Sequence, residues 1–161
     1  MAKPLKFDGL PDLLRNLKKL QKQEVLVGVP SDHTNRQDEN EVLNNASLLY
    51  IHEHGSPASN LPARPVMGPG IKGAKEKLAE RLGKAAKYAL DKDKQRMTQQ
   101  LNIVGLLAQN AVRAKINSGV EPALAASTIA ARQRRGRTGT VPLIDTGQLR
   151  NSITYVVKEN K

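Results

Sequence analysis

Leu10, Leu13, Leu14, Leu17 and Leu20 recur at steps of three and four residues, which lays them along one stripe of an amphipathic helix. Its opposite face carries Arg15, Lys18, Lys19 and Lys22, and the chain enters it through Asp8-Gly-Leu-Pro-Asp12. The period then changes. Glu24-Val-Leu-Val-Gly-Val-Pro30 is a short β-branched run stopped by proline, which predicts a strand. Residues 31–44 hold Asp, Asn, Glu, Gln, Arg and His with little apolar content, the composition of a flexible polar loop. Ala46 to His54 reads as a short helix with Ala46, Leu49 and Tyr50 on its apolar face and Gly55 as the residue that ends it.

Pro57, Pro62, Pro65 and Pro69 remove donors and restrict their neighbours, so residues 56–70 are expected to form a stiff, extended connector over the surface. Two long helices follow, over Ile71–Leu90 and Asp93–Asn117. The first places Ile71, Ala74, Leu78, Leu82, Ala85 and Ala89 on one face. The second places Met97, Leu101, Val104, Ala108, Ala111 and Val112 together, and Ile103, Leu107, Ala114 and Ile116 widen the stripe, so this helix is expected to be buried on more than one side. Ala123 to Arg135 predicts a further helix capped near Ser127 and broken by Gly136-Arg-Thr-Gly139. Near the end, Asp145 has the chemistry of an N-cap and Gln148 stands three residues on as its capping-box partner, which predicts a short helix from Thr146 and a cost of about 1 kcal/mol for Asp145→Ala. Ile153, Tyr155 and Val157 then alternate with Ser152, Thr154, Val156 and Lys158 at roughly the period of two of a terminal strand. The reading is one α+β domain over residues 1–161, a small antiparallel sheet packed against two long helices with shorter helices around them.

Composition narrows this picture. With one Phe, three Tyr and no Trp among 161 residues, the core must be aliphatic, and its many alanines bury little area each. The absence of Cys excludes disulfides and thiolate chemistry and suits a reducing compartment. No stretch offers the ~20 apolar residues of a membrane helix, and no long apolar run follows the first lysines, so neither a membrane nor a secretory signal is expected. The net charge is +11, unevenly spread: residues 1–60 carry 7 Lys/Arg against 8 Asp/Glu, and residues 61–161 carry 19 against 7. Such a field favours phosphate backbones or an acidic protein surface.

Candidate chemistry is sparse. His52-Glu53-His54, with His33 upstream, is the one concentration of metal-ligand types, but helical neighbours one and two apart point away from each other and a zinc site needs three or four converging ligands. Glu76/Glu80 and Asp91/Asp93 stand among lysines and read as helix salt bridges rather than an acid–base pair. Gly68-Pro-Gly-Ile-Lys-Gly73 lacks the Gly-Lys-Ser/Thr ending and the preceding strand of a phosphate loop. No enzyme, metal or cofactor is therefore expected. Arg132, Arg134, Arg135 and Arg137 place four guanidinium groups within six residues. They suit non-specific DNA phosphate contact or an acidic protein partner, and equally a solvated helix end facing its own dipole. No aromatic residues interleave them for base stacking. Arg64, fixed between Ala63 and Pro65, is a bidentate donor in the proline connector.

Three stretches carry a family resemblance. Val141-Pro-Leu-Ile-Asp-Thr-Gly-Gln-Leu-Arg-Asn-Ser-Ile153, Asn45-Ala-Ser-Leu-Leu-Tyr-Ile-His-Glu-His-Gly-Ser-Pro57 and Asn60-Leu-Pro-Ala-Arg-Pro-Val-Met-Gly-Pro-Gly70 resemble, in order and spacing, the tail-completion or neck (head-tail joining, collar) proteins of long-tailed bacteriophages, over about residues 24 to 158. The resemblance implies a structural virion protein made in the host cytoplasm, a homo-oligomeric ring of six or twelve subunits between the head-side connector and the tail tube or its terminator, with packaged DNA passing through. It also implies that Arg64 and Pro65 lie at a subunit or ring-to-ring contact, and that the 31–44 loop meets a neighbouring ring. The alternative is a cytoplasmic nucleic-acid-binding accessory protein, suggested by the charge and the arginine cluster.

Overall fold

The computed structural model describes residues 10–30 and 43–160; the 31–44 loop lies largely outside them. The chain is α+β. Helix α1 (Leu10–Gln21) leads into strand β1 (Gln23–Gly28), and α2 (Asn45–His54) follows, its first turn capped by the Asn44 side chain on Ser47 N at 2.8 Å. Then come α3 (Met67–Gly73), α4 (Lys75–Leu90), α5 (Lys94–Asn117), α6 (Ala126–Arg134), α7 (Gln148–Ser152) and β2 (Thr154–Glu159). Asp93, the residue before α5, accepts from Arg96 N at 2.9 Å and caps the longest helix. β1 and β2 pair antiparallel with Val25 opposite Val157 and Leu26 opposite Val156.

A two-stranded sheet is marginal by itself, and here α5 covers one face. Val25 and Val157 pack against Ala85, Ala89, Met97 and Leu101. Val25 and Val27 also meet Leu78, Val104 and Ala108. Tyr155 lies over Gly105 so closely that a Cβ there would fall 2.1 Å from its ring, which gives that helical glycine its purpose. The third cluster, Leu49, Val66, Val112, Ile116, Val120, Leu143, Leu149 and Ile153, joins α2, α5 and the C-terminal segment. α5 is buried along one broad face from Met97 to Ile116, not on more than one side as expected: Ile103 and Leu107 are half-buried and Ala114 is exposed.

Four further expectations are overturned. The connector is not a surface strut. Pro57–Ser59 forms a turn of 3-10 helix, Val66 is fully buried, and α3 begins at Met67 although Gly68, Pro69 and Gly70 are poor helix formers. The long helix expected from Ile71 is consequently two, broken at Ala74, whose φ of −100° and ψ of 2° leave the helical range. The leucine stripe of α1 is likewise split. Leu20 reaches the core, but Leu10, Leu14 and Leu17 are exposed. On α2, Tyr50 faces outward at 65% exposure, and Leu48 and Leu49 supply the buried contact instead.

Candidate functional site

The stretches around residues 45–57, 60–70 and 141–153 fold onto one another. Gly55, at φ +78°, turns the chain out of α2; a Cβ there would meet Ala63 N at 2.9 Å, so the close return of the connector requires glycine. The connector is then held from both sides. Arg64 N donates to His52 O at 2.6 Å, and the Glu53 carboxylate accepts from Val66 N at 2.8 Å and Met67 N at 3.2 Å. Glu53 thereby caps the first turn of α3 from another helix, satisfying donors that Gly68 and Pro69 offer no side chain to meet. No local pattern in the sequence announces this, because the partners are 13 and 14 residues apart.

The Arg64 side chain points inward. It is 5% exposed, and its Nε and Nη2 donate to Pro122 O at 2.7 Å and Ala123 O at 2.9 Å. This is the fork expected of a bidentate arginine, but closed on the backbone of its own chain; Pro65 beside it is exposed. The arginine cluster also divides. Arg132 is 7% exposed, and its Nη1 donates to Gly139 O at 2.9 Å, Val141 O at 3.2 Å and Ile144 O at 2.9 Å. The glycine loop after α6 curls around this one guanidinium. Arg137 pairs with Asp145, which also lies 3.7 Å from Arg132 Nε. Only Arg134 and Arg135 remain as exposed cations for a phosphate or an acidic surface.

The cap assigned to Asp145 and Gln148 is corrected by the same contacts. Gly147, at φ +81°, precedes α7 and no side chain caps it; Gln148 is the first helical residue, its N–H 3.5 Å from Thr146 Oγ1. Asp145 is drawn away by two arginines whose positions only the tertiary fold fixes. α6 begins at Ala126, after Ala125, and Ser127 is not its cap. Arg113 is a contributor that helix periodicity did not single out: its guanidinium donates to Ile153 O at 2.7 Å and Asn151 O at 3.0 Å, tying α5 to the junction of α7 and β2.

Between these segments lies a cavity of about 480 Å³, walled by Arg64 and His52 on one side, Arg132 and Asp145 on another, and Ser127 and Thr128 at the first turn of α6. His52, Glu53 and His54 do not converge: Glu53 holds α3, His54 Nδ1 lies 3.0 Å from Tyr50 O with its ring stacked on Tyr50, and only His52 reaches the cavity. Among the described residues no three His, Asp and Glu side chains come together as metal ligands; His33 lies outside them.

Burial, and after it the Arg64 charge, lowers the pKa of the His52 imidazole below its ordinary value, and its Nδ1 is buried without a hydrogen-bond partner. The folded protein therefore resists a proton that the unfolded chain accepts at about pH 6.5. The stability this confers is present above that value and is lost as pH falls toward the folded pKa. The melting temperature of the wild type is expected to drop more than that of His52→Gln between about pH 7.5 and about pH 5.5. Parallel curves for the two proteins would show that His52 is not the titrating group.

Among the described residues no helix is long and apolar enough to cross a membrane. No protein-family model, curated protein or solved structure matches the chain.

Proposed function

We propose that this chain is a structural component of the neck of a long-tailed bacteriophage, a tail-completion or collar subunit that assembles into a ring between the head-side connector and the tail and lines the DNA passage. The observation that carries this reading is the ordered occurrence of three motif stretches of that family. Their mutual packing around one cavity gives a reason for them to occur together. The isolated subunit also leaves apolar side chains in water: Leu10, Leu14 and Leu17 on α1, and the cross-strand pair Leu26 and Val156 on the uncovered face of the sheet. Contiguous apolar surface of this kind marks protein contacts, and a closed ring would bury it through heterologous contacts between successive subunits. Because Arg64 and Arg132 are turned inward, the passage charge would come from exposed lysines and from Arg134 and Arg135.

Light scattering with negative-stain imaging of the same sample tests the reading. A ring of six or twelve subunits with an open centre is expected, and Leu26→Glu should leave folded monomers with the circular dichroism of the wild type and a lower melting temperature. A soluble monomer that binds duplex DNA with a steep inverse dependence on salt would replace the ring with a nucleic-acid-binding accessory role.

A further inference from the structure

The cavity has more cationic donors on its walls than the fold uses. Arg64 commits Nε and Nη2 to carbonyls, and Arg132 commits Nη1 to three carbonyls and sets Nε toward Asp145. Arg64 Nη1 and Arg132 Nη2 make no hydrogen bond among the described residues. Both residues are more than nine-tenths buried and both line the cavity. These two nitrogens are open to an acceptor that enters the cavity, and His52, on the same wall, has its buried Nδ1 unpartnered. The first turn of α6 opens onto the same space with no side chain capping it, so its free N–H groups add partial positive charge.

The counter-charge already present selects the ligand. Among the described residues Asp145 is the one carboxylate on the wall, and Arg132 and Arg137 share it. Arg64, Arg132 and Arg137 against Asp145 leave two positive charges uncompensated, which suits a carboxylate or a small dicarboxylate. Each unused guanidinium nitrogen can donate to one oxygen of a planar carboxylate. A volume of about 480 Å³ admits a side chain or a small dicarboxylate but not a DNA duplex, whose major groove alone is about 12 Å wide. We infer that this cavity is a carboxylate-binding site, in which the unused nitrogens of Arg64 and Arg132, the first turn of α6 and His52 receive an aspartate or glutamate side chain of another polypeptide or a small free dicarboxylate. The site does not depend on ring formation, and a monomer would possess it.

The test follows the guanidinium Nε–H signals of Arg64 and Arg132 by nuclear magnetic resonance in the full-length chain. Glutarate, the capped peptide Gly-Glu-Gly and inorganic phosphate are added separately at constant ionic strength. Saturable shifts of both arginines with a carboxylate are expected. Tighter saturation by the peptide assigns the site to a protein-borne carboxylate, and tighter saturation by glutarate assigns it to a free small molecule. Ser127→Glu, which tethers a carboxylate at the cavity, should abolish the shifts. It should also raise the melting temperature over Ser127→Gln by more than Ala126→Glu does over Ala126→Gln, since Ala126 shares the helix turn but not the cavity. The inference is overturned if no carboxylate saturates, if phosphate saturates and carboxylates do not, or if the shifts persist undiminished in Ser127→Glu.

Discussion

Arg132→Met is expected to destabilise the protein by about 3 kcal/mol, because it strips a buried, charged donor from three carbonyl acceptors at once. Methionine replaces much of the volume, so cavity formation is a minor part of the cost. The main part is the loss of the donor that the Gly139, Val141 and Ile144 carbonyls share at 2.9 to 3.2 Å. At roughly 2–4 °C per kcal/mol for a domain of this size, the melting temperature should fall by about 10 °C. Arg134→Met, two residues away on an exposed position, should change stability by less than about 0.5 kcal/mol. Thermal melts of the two variants side by side decide the matter. Equal losses would mean that Arg132 is not the centre around which the 139–144 loop is folded.

The same residue shows where sequence reading stops. Four arginines in six positions look like one solvated patch, since nothing local reveals that a glycine loop returns its carbonyls to the first of them and that Asp145 arrives to meet both the first and the last. Where periodicity decides the outcome, the sequence is legible. The α5 stripe from Met97 to Ile116 lies buried as its spacing requires, and the alternation of Ile153, Tyr155 and Val157 sets which side of β2 meets the helices. A cap survives where the competing cation comes from the helix's own first turn, as Arg96 does for Asp93, and fails where cations arrive from elsewhere in the fold. Asp93 caps α5, whereas Asp145, with the same chemistry, is taken by arginines. α3 is illegible for the converse reason: its propensities are poor and its cap comes from Glu53 on another helix. Neither the convergence of the three motif stretches nor the unused guanidinium nitrogens of the two arginines lining the cavity between them had a sequence signal.

Gly70→Ala is the second large effect, and its sign separates two opposing contributions. Helix propensity by itself favours alanine over glycine by about 1 kcal/mol in a helix interior. At Gly70, however, a Cβ would sit 2.9 Å from Val112 Cα and 3.2 Å from Ala111 O. These are backbone atoms of α5 and have no rotamer through which to move aside. α3 would have to lift from α5, disturbing Val66 and Val112, both fully buried. Overpacking of this kind costs about 1–3 kcal/mol, more than propensity returns, so the variant should be destabilised and its α3 amides should exchange faster with solvent. Gly83→Ala is the matched control: it lies within α4 with nothing inside 4 Å of its Cβ position, and it should gain about 0.5–1 kcal/mol. Denaturant melts that moved both glycines in the stabilising direction would mean that α3 and α5 are not in backbone contact. In that event the wall joining the connector to the C-terminal segment, and with it the cavity that Arg64 and Arg132 share, would lack its rigid support.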